Sequence, residues 1–158
     1  MNAIDLLIGQ HRDMESKLDK LKKAEPPDRA EFDDLADELA AHITAEEELF
    51  YPAVKAKRTE DILLESLEEH LSLKRVLADL LALAPKDDKF GPKLHVLAEQ
   101  AKHHHEEEEE HLFPKVRKLL DEDHLEALGS EMDLRIEHLR EHAPRKRIPG
   151  QTADSADL

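Results

Sequence analysis

Apolar residues return every three or four positions through most of this chain, the spacing of a single helix face. Near the start the stripe is Ile4, Leu7, Met14, Leu18 and Leu21, and it predicts a helix over about Ala3 to Ala24. Leu35, Leu39, Leu49 and Phe50 predict a second helix over about Arg29 to Lys57. Leu63, Leu67, Leu73, Leu77 and Leu80 predict a third over about Glu60 to Leu83. A fourth opens at Gly91-Pro92 and carries Leu94, Leu97, Ala101, Leu112, Val116 and Leu119. Leu125, Leu128, Met132, Ile136 and Leu139 mark a shorter fifth. Each of the four long stripes is interrupted near its middle by polar residues where the heptad asks for an apolar one: His11, then His42 and Glu46, then His70, then His104 and Glu108.

Prolines and caps punctuate this pattern. Pro26-Pro27 ends the first helix, and Asp28 is placed to cap the second. Thr59 is a plausible N-cap for the third helix, Pro85 stops it, and Pro92 suits the first turn of the fourth. Pro52 and Pro114 fall inside helical patterns and should kink the chain or tighten the last turns there. Asp123 and Glu126 have capping-box spacing for the fifth helix. Beyond Ala143-Pro144 the chain turns basic and then polar, so Arg145 to Leu158 reads as a flexible tail with a solubilising basic run.

The connections are short, so the long helices should run antiparallel to their neighbours. His11 lies roughly 13 residues before the end of its helix, and His42 roughly 13 after the start of the next. At about 1.5 Å per residue both sit about 20 Å from the connecting turn. His70 and His104 match in the same way across the other turn. The predicted architecture is all-α: an up-down-up-down four-helix bundle over residues 1–142, with a short fifth helix, and a tail over 143–158. All four histidines then share one layer, and Glu46 and Glu108 lie one turn further along on the same inward faces.

The second and fourth helices repeat one motif. His42-Ile43-Thr44-Ala45-Glu46-Glu47-Glu48-Leu49-Phe50-Tyr51-Pro52 aligns with His104-His105-Glu106-Glu107-Glu108-Glu109-Glu110-His111-Leu112-Phe113-Pro114. Each copy follows a helix with a single stripe histidine, so the chain reads as two helical hairpins. The distance to Pro114 selects His104 from the run His103-His104-His105, which leaves His103 and His105 as exposed flanking residues. His95, His111, His124, His138 and His142 carry no spacing argument and read as surface residues.

Composition narrows the chemistry. The net charge of −15 offers no basic face to a nucleic acid. With no cysteine, thiol chemistry, disulfides and iron–sulfur clusters are excluded. The N-terminus has neither a basic stretch nor a long apolar run, so a membrane span is not expected and a cytoplasmic location is. A lone histidine on an apolar stripe is ordinarily a satisfied core residue. Two carboxylates added to four histidines at one level are another matter, because an unpaired buried carboxylate costs several kcal/mol. Imidazole with carboxylate suits iron, and also manganese or zinc. Two carboxylates between two histidine-bearing hairpins suggest a pair of metal ions with open positions for water or a small diatomic molecule. Glu15, one turn after His11, reads either as a further ligand or as a charge at the edge of the stripe. Lys74, one turn after His70, reads either as a side chain reaching solvent or as a cation steadying a metal-bound anion.

The segments Leu6-Leu7-x3-His11, His42-x3-Glu46-Glu47-x2-Phe50-Tyr51-Pro52, Glu68-Glu69-His70 and His104-x3-Glu108-Glu109-x2-Leu112-Phe113-Pro114 together resemble the hemerythrin-like HHE cation-binding family. The resemblance spans roughly Met1 to Leu120. It implies a non-haem, carboxylate-bridged di-iron centre with His11, His42, Glu46, His70, His104 and Glu108 as ligands. Its cofactor would be two iron ions, and its partner a small diatomic molecule or peroxide. The family includes oxygen carriers, sensors and peroxide-degrading proteins. This chain departs from the oxygen carriers in having Lys74 where they place a second histidine, and His104-x3-Glu108 where they use His-x4-Asp. The expectation is therefore a protein that binds or reacts with oxygen, peroxide or nitric oxide, with a passive metal-binding or iron-sensing scaffold as the alternative.

Overall fold

The computed structural model describes residues 1–158. Its first helix, α1 (Ala3–Lys23), starts where the Asn2 side chain accepts from the Asp5 backbone N–H at 2.8 Å. Asp28 caps α2 (Arg29–Ala45) in the same way, accepting from Glu31 at 3.1 Å. The rod continues through a π-helical turn, Glu46–Phe50, into α3 (Tyr51–Val54). Next comes α4 (Glu60–Ala82), then α5 (Phe90–Glu107), a second π-helical turn (Glu108–Leu112) and α6 (Phe113–Leu119). The last α-helix is α7 (Glu122–Arg140). The bundle is all-helical, as the periodicity predicts.

Both π turns begin at a motif glutamate and close with an i to i+5 bond: Tyr51 N–H donates to the Glu46 carbonyl, and Phe113 N–H to the Glu108 carbonyl. Pro52 and Pro114 explain the position. Each lacks an N–H, and its ring crowds the carbonyl four residues back, so the helix widens just upstream. Widening replaces the tightening expected from the prolines. Thr59 stands at the N-cap of α4 but spends its hydroxyl on the preceding loop, accepting from Ala56 N–H and donating to the Val54 carbonyl at 2.8 Å. The cap of α7 is Asp121 rather than Asp123; its Oδ1 accepts from the His124 backbone at 2.9 Å.

Two features complete the seams of the bundle. Helix α7 packs across α1 and α2, burying Met132 fully and most of Leu125, Leu128, Ile136 and Leu139. Gly129 allows that approach, because a Cβ there would stand 2.3 Å from the Met1 carbonyl oxygen. The second is the segment expected as a flexible tail. Pro144–Gln151 instead forms a 3₁₀ helix that packs against both α2 and α4. Ile148 is an apolar peg 1% exposed in the core, and Arg145 holds Asp37 through its side chain at 2.8 Å and its backbone N–H at 3.1 Å. Arg75 on α4 donates to the carbonyls of Thr152 and Ala153. The tail expectation fails because one isoleucine and one arginine in a polar stretch suffice to seat it.

The apolar core is split into two parts. One contains Ile4, Leu7, Phe50, Leu63, Leu67, Leu112 and the inner face of α7. The other contains Met14, Leu18, Leu35, Leu39, Leu73, Leu77, Leu94 and Leu97. Between them, at mid-height, lies a layer of buried histidine and glutamate.

Gly129→Ala should force α7 away from the first turn of α1, with a loss of about 1–3 kcal/mol typical of overpacking. Urea unfolding of the variant checks this; unchanged stability would mean that the close approach is not a constraint.

Candidate metal centre

Each stripe histidine is fixed at its outer nitrogen. His11 Nδ1 meets Glu109 Oε2 at 2.8 Å, and His70 Nδ1 meets Glu47 Oε2 at 2.9 Å. His104 Nδ1 meets Glu69 Oε1 at 2.8 Å, and His42 Nδ1 meets the Gln10 side-chain oxygen at 2.6 Å. All four partners are acceptors, so each Nδ1 carries the hydrogen and the Nε2 lone pair is turned inward. This is the outer-shell arrangement that orients metal-binding imidazoles.

The inward atoms converge. His11 Nε2 is 3.3 Å from Glu108 Oε1, and His42 Nε2 is 3.3 Å from Glu46 Oε1. On the other side His70 Nε2 is 3.1 Å from Glu46 Oε1, and His104 Nε2 is 3.4 Å from Glu108 Oε1. His70 and His104 face one another with 3.0 Å between their Nε2 atoms. The structure thus brings together all six residues singled out from the sequence, none more than 1% exposed.

Four of these inward atoms are buried without a hydrogen-bond partner: His11 Nε2, His42 Nε2, Glu46 Oε2 and Glu108 Oε1. Buried acceptors are ordinarily paired. Here the orphans belong to one metal-capable group, His11–His42–Glu46–Glu108. A second group, Glu46–His70–His104, shares Glu46 with the first. This donor set fits metal binding, and nitrogen with carboxylate oxygen suits a borderline or hard first-row ion.

Electrostatics among the protein groups agrees. Burial pushes the Glu46 carboxyl up, but His42, His104 and His70 overcome it and hold Glu46 well below the usual range. Glu108 is raised by burial and by the neighbouring Glu46. Burial opposes a proton on His104, yet Glu108, Glu46 and Glu69 outweigh it and raise its pKa well above the usual imidazole value. His11 is lowered to about 2 by burial and by repulsion from His42, which keeps its lone pair free. Metal ions bound here would compete with protons for these atoms.

Two residues of the site escaped the sequence reading. His105, expected to be exposed, is 1% exposed, stacked on His11 with ring centroids 3.9 Å apart and planes 9° from parallel. Neither of its ring nitrogens has a hydrogen-bond partner, and it forms a third metal-capable group with His11 and His42. The reason is that α5 packs against both α4 and α1, so neighbouring residues about 100° apart on the helix both face inward. His103 is exposed, as expected. Tyr51 is fully buried, donates its hydroxyl to Glu108 Oε2 at 2.8 Å and lies 3.2 Å from His70 Nε2. In the other motif copy its place is taken by Phe113, so the single tyrosine of the chain sits at the centre.

The two ambiguous residues also find places. Glu15 pairs with Arg12 at 2.9 Å and lies 3.6 Å from His105 Nδ1, at the edge of the site and outside the ligand groups. Lys74 does not reach solvent. It is 3% exposed and donates to Glu47 Oε1 at 2.9 Å, backing the carboxylate that holds His70.

A helical bundle with a buried histidine–carboxylate centre defines a class of cation-binding proteins. The family model described as the Hemerythrin HHE cation binding domain matches residues 2–116, and the chain belongs to that family. A solved structure of a Hemerythrin HHE cation binding domain-containing protein from Mycobacterium kansasii has the same fold. Its TM-score is 0.79 at 24% identity, over 96% of this chain and 94% of that one. A protein of Nostoc sp. named DNA nickase is 28% identical over 133 residues, which is 83% of this chain but 38% of the relative's length. No helix of the chain is long and apolar enough to cross a membrane.

Tyr51→Phe should leave Glu108 Oε2 without its donor and cost about 1–3 kcal/mol, the penalty for a stranded buried polar group. Denaturant unfolding in the presence of a chelator checks it; wild-type stability would show that the hydroxyl does not hold Glu108.

Proposed function

We propose that the chain is a non-haem di-iron protein whose centre binds or reacts with oxygen, peroxide or nitric oxide. The observation that carries this reading is the pair of metal-capable groups sharing Glu46, with orphaned inward atoms on His11, His42, Glu46 and Glu108. One ion would be held by His11 and His42, the other by His70 and His104, with Glu46 and Glu108 between them. His105 stands beside the first position as an additional candidate ligand. Bound iron would supply redox chemistry and open positions for a small molecule.

The chain's own residues do the rest. Glu109, Gln10, Glu47 and Glu69 hold the imidazoles in one tautomer. The Tyr51 hydroxyl keeps a proton against Glu108 at the edge of the reacting space. The two apolar clusters above and below exclude water. Such a closed site admits a diatomic molecule or peroxide and little that is larger. The reading includes no nucleic acid, because a net charge of −15 works against binding a polyanion, and this chain spans 38% of the relative named as a nickase. It assumes a cytoplasmic setting.

Protein purified without added metal should contain two irons per chain, show a visible absorption band and change its spectrum on adding hydrogen peroxide. Iron content without any response to oxygen, peroxide or nitric oxide would favour a passive metal-binding or iron-sensing scaffold. Glu46→Gln and Glu108→Gln should each reduce the content to one iron or fewer; two irons per chain in both variants would overturn the bridged assignment. Removing metal should lower the melting temperature, since binding to the folded state adds to stability.

A further inference from the structure

The groups behind the four histidines follow the internal repeat almost completely. His11 and His70 are equivalent in the two hairpins. Each gives its Nδ1–H to the glutamate that follows the inward glutamate of the opposite hairpin, Glu109 for His11 and Glu47 for His70. Each of these glutamates is paired with a cation from the histidine's own helix: Arg12 holds Glu109, and Lys74 holds Glu47. His42 and His104 are equivalent too. Each gives its Nδ1–H to the residue just before the first histidine of its own hairpin. There the correspondence breaks. Behind His42 stands the neutral amide of Gln10, and behind His104 the carboxylate of Glu69. No lysine or arginine pairs with Glu69; beyond His104, its neighbour within ion-pair distance is the exposed imidazole of His103, at 3.5 Å.

We propose that this one break makes the two halves of the centre unequal, so that the His70–His104 half takes the first metal ion and the His11–His42 half the second. The inference rests on the reading that the centre holds two ions. A carboxylate accepting from Nδ1–H raises the basicity of the imidazole toward a metal at Nε2. It also places a negative charge, itself 20% exposed, directly behind a buried imidazole, where Coulomb interactions are stronger than in bulk water. Arg12 and Lys74 each offset the glutamate they hold, Arg12 at the surface and shared with Glu15, Lys74 buried and with Glu47 alone. Among the groups that accept directly from the four stripe imidazoles, Glu69 against Gln10 is the one charge without a counterpart; Glu15, 3.6 Å from His105 and paired with Arg12, accepts from none of the four. His105 adds a ring to the other half but no charge.

An anoxic iron(II) titration, followed by calorimetry and by tyrosine absorption, tests the order. The chain has one tyrosine and no tryptophan, so the aromatic signal reports Tyr51, which touches His70. Wild type should bind in two steps, with the tyrosine signal changing at the first equivalent. Glu69→Gln should weaken the first step about 10–100-fold, the usual effect of losing such an outer partner, and bring the two steps together. Gln10→Glu should tighten the second step and leave the first in place, and it keeps the test available should Glu69→Gln fail to fold. Equal weakening of both steps by Glu69→Gln, an unchanged first step, or a tyrosine change that waits for the second equivalent would overturn the order while leaving a two-ion centre intact. Fewer than two ions in wild type would overturn the two-ion reading and this inference with it.

Discussion

The structure depends on a polar layer that has to be neutralised inside an apolar bundle. Glu46 and Glu108 are 0% and 1% exposed, and four imidazoles point lone pairs at them or at each other. Left to itself this arrangement works against folding, because buried carboxylates lose hydration and facing lone pairs repel. The protein groups compensate only in part. The neighbouring imidazoles hold the Glu46 carboxyl well below the usual range, while burial and Glu46 push Glu108 up, so the two carboxyls are not satisfied alike. Cations held by these residues would satisfy the unpaired inward atoms, and the family to which the chain belongs is a cation-binding one.

Local chain chemistry sets that layer up. Pro52 and Pro114 open a π turn that begins at each inward glutamate. Successive glutamates of each motif then serve different ends: Glu46 points into the centre while Glu47 holds His70, and Glu108 points in while Glu109 holds His11. Each hairpin therefore orients a histidine of the other, so the centre ties the two halves of the bundle across their interface.

Much of this was legible in the sequence, for a physical reason. A heptad stripe has few places for polar residues, so His11, His42, His70 and His104 stand out, and matched distances to the turns put them at one level. His105 was not legible, because a choice of one register from three adjacent histidines assumes that the helix has one inward face. Helix α5 has two, toward α4 and α1. Tyr51 sits in an apolar stretch of the repeated motif, and only coordinates show that its hydroxyl points at Glu108. The segment from Pro144 to Gln151 has little apolar content to average, and what seats it is a few specific contacts: buried Pro144 and Ile148, and Arg145 on Asp37.

That C-terminal segment matters to the chemistry as well as to the fold. The 3₁₀ helix lies against α2 and α4, the helices that carry His42 and His70, while α7 packs across α1 and α2. Together they cover seams through which water would reach the layer. Dryness has two consequences there. It increases the effect of charges that act through the buried imidazoles, so the Gln10-for-Glu69 difference, at the partly exposed outer nitrogens, is felt at the enclosed inner ones. It also limits what can reach the inward atoms to molecules small enough to pass between packed side chains. The proposed reactivity toward small ligands and the proposed inequality between the two positions rest on the same structural fact, the enclosure of acidic and imidazole groups between two apolar clusters.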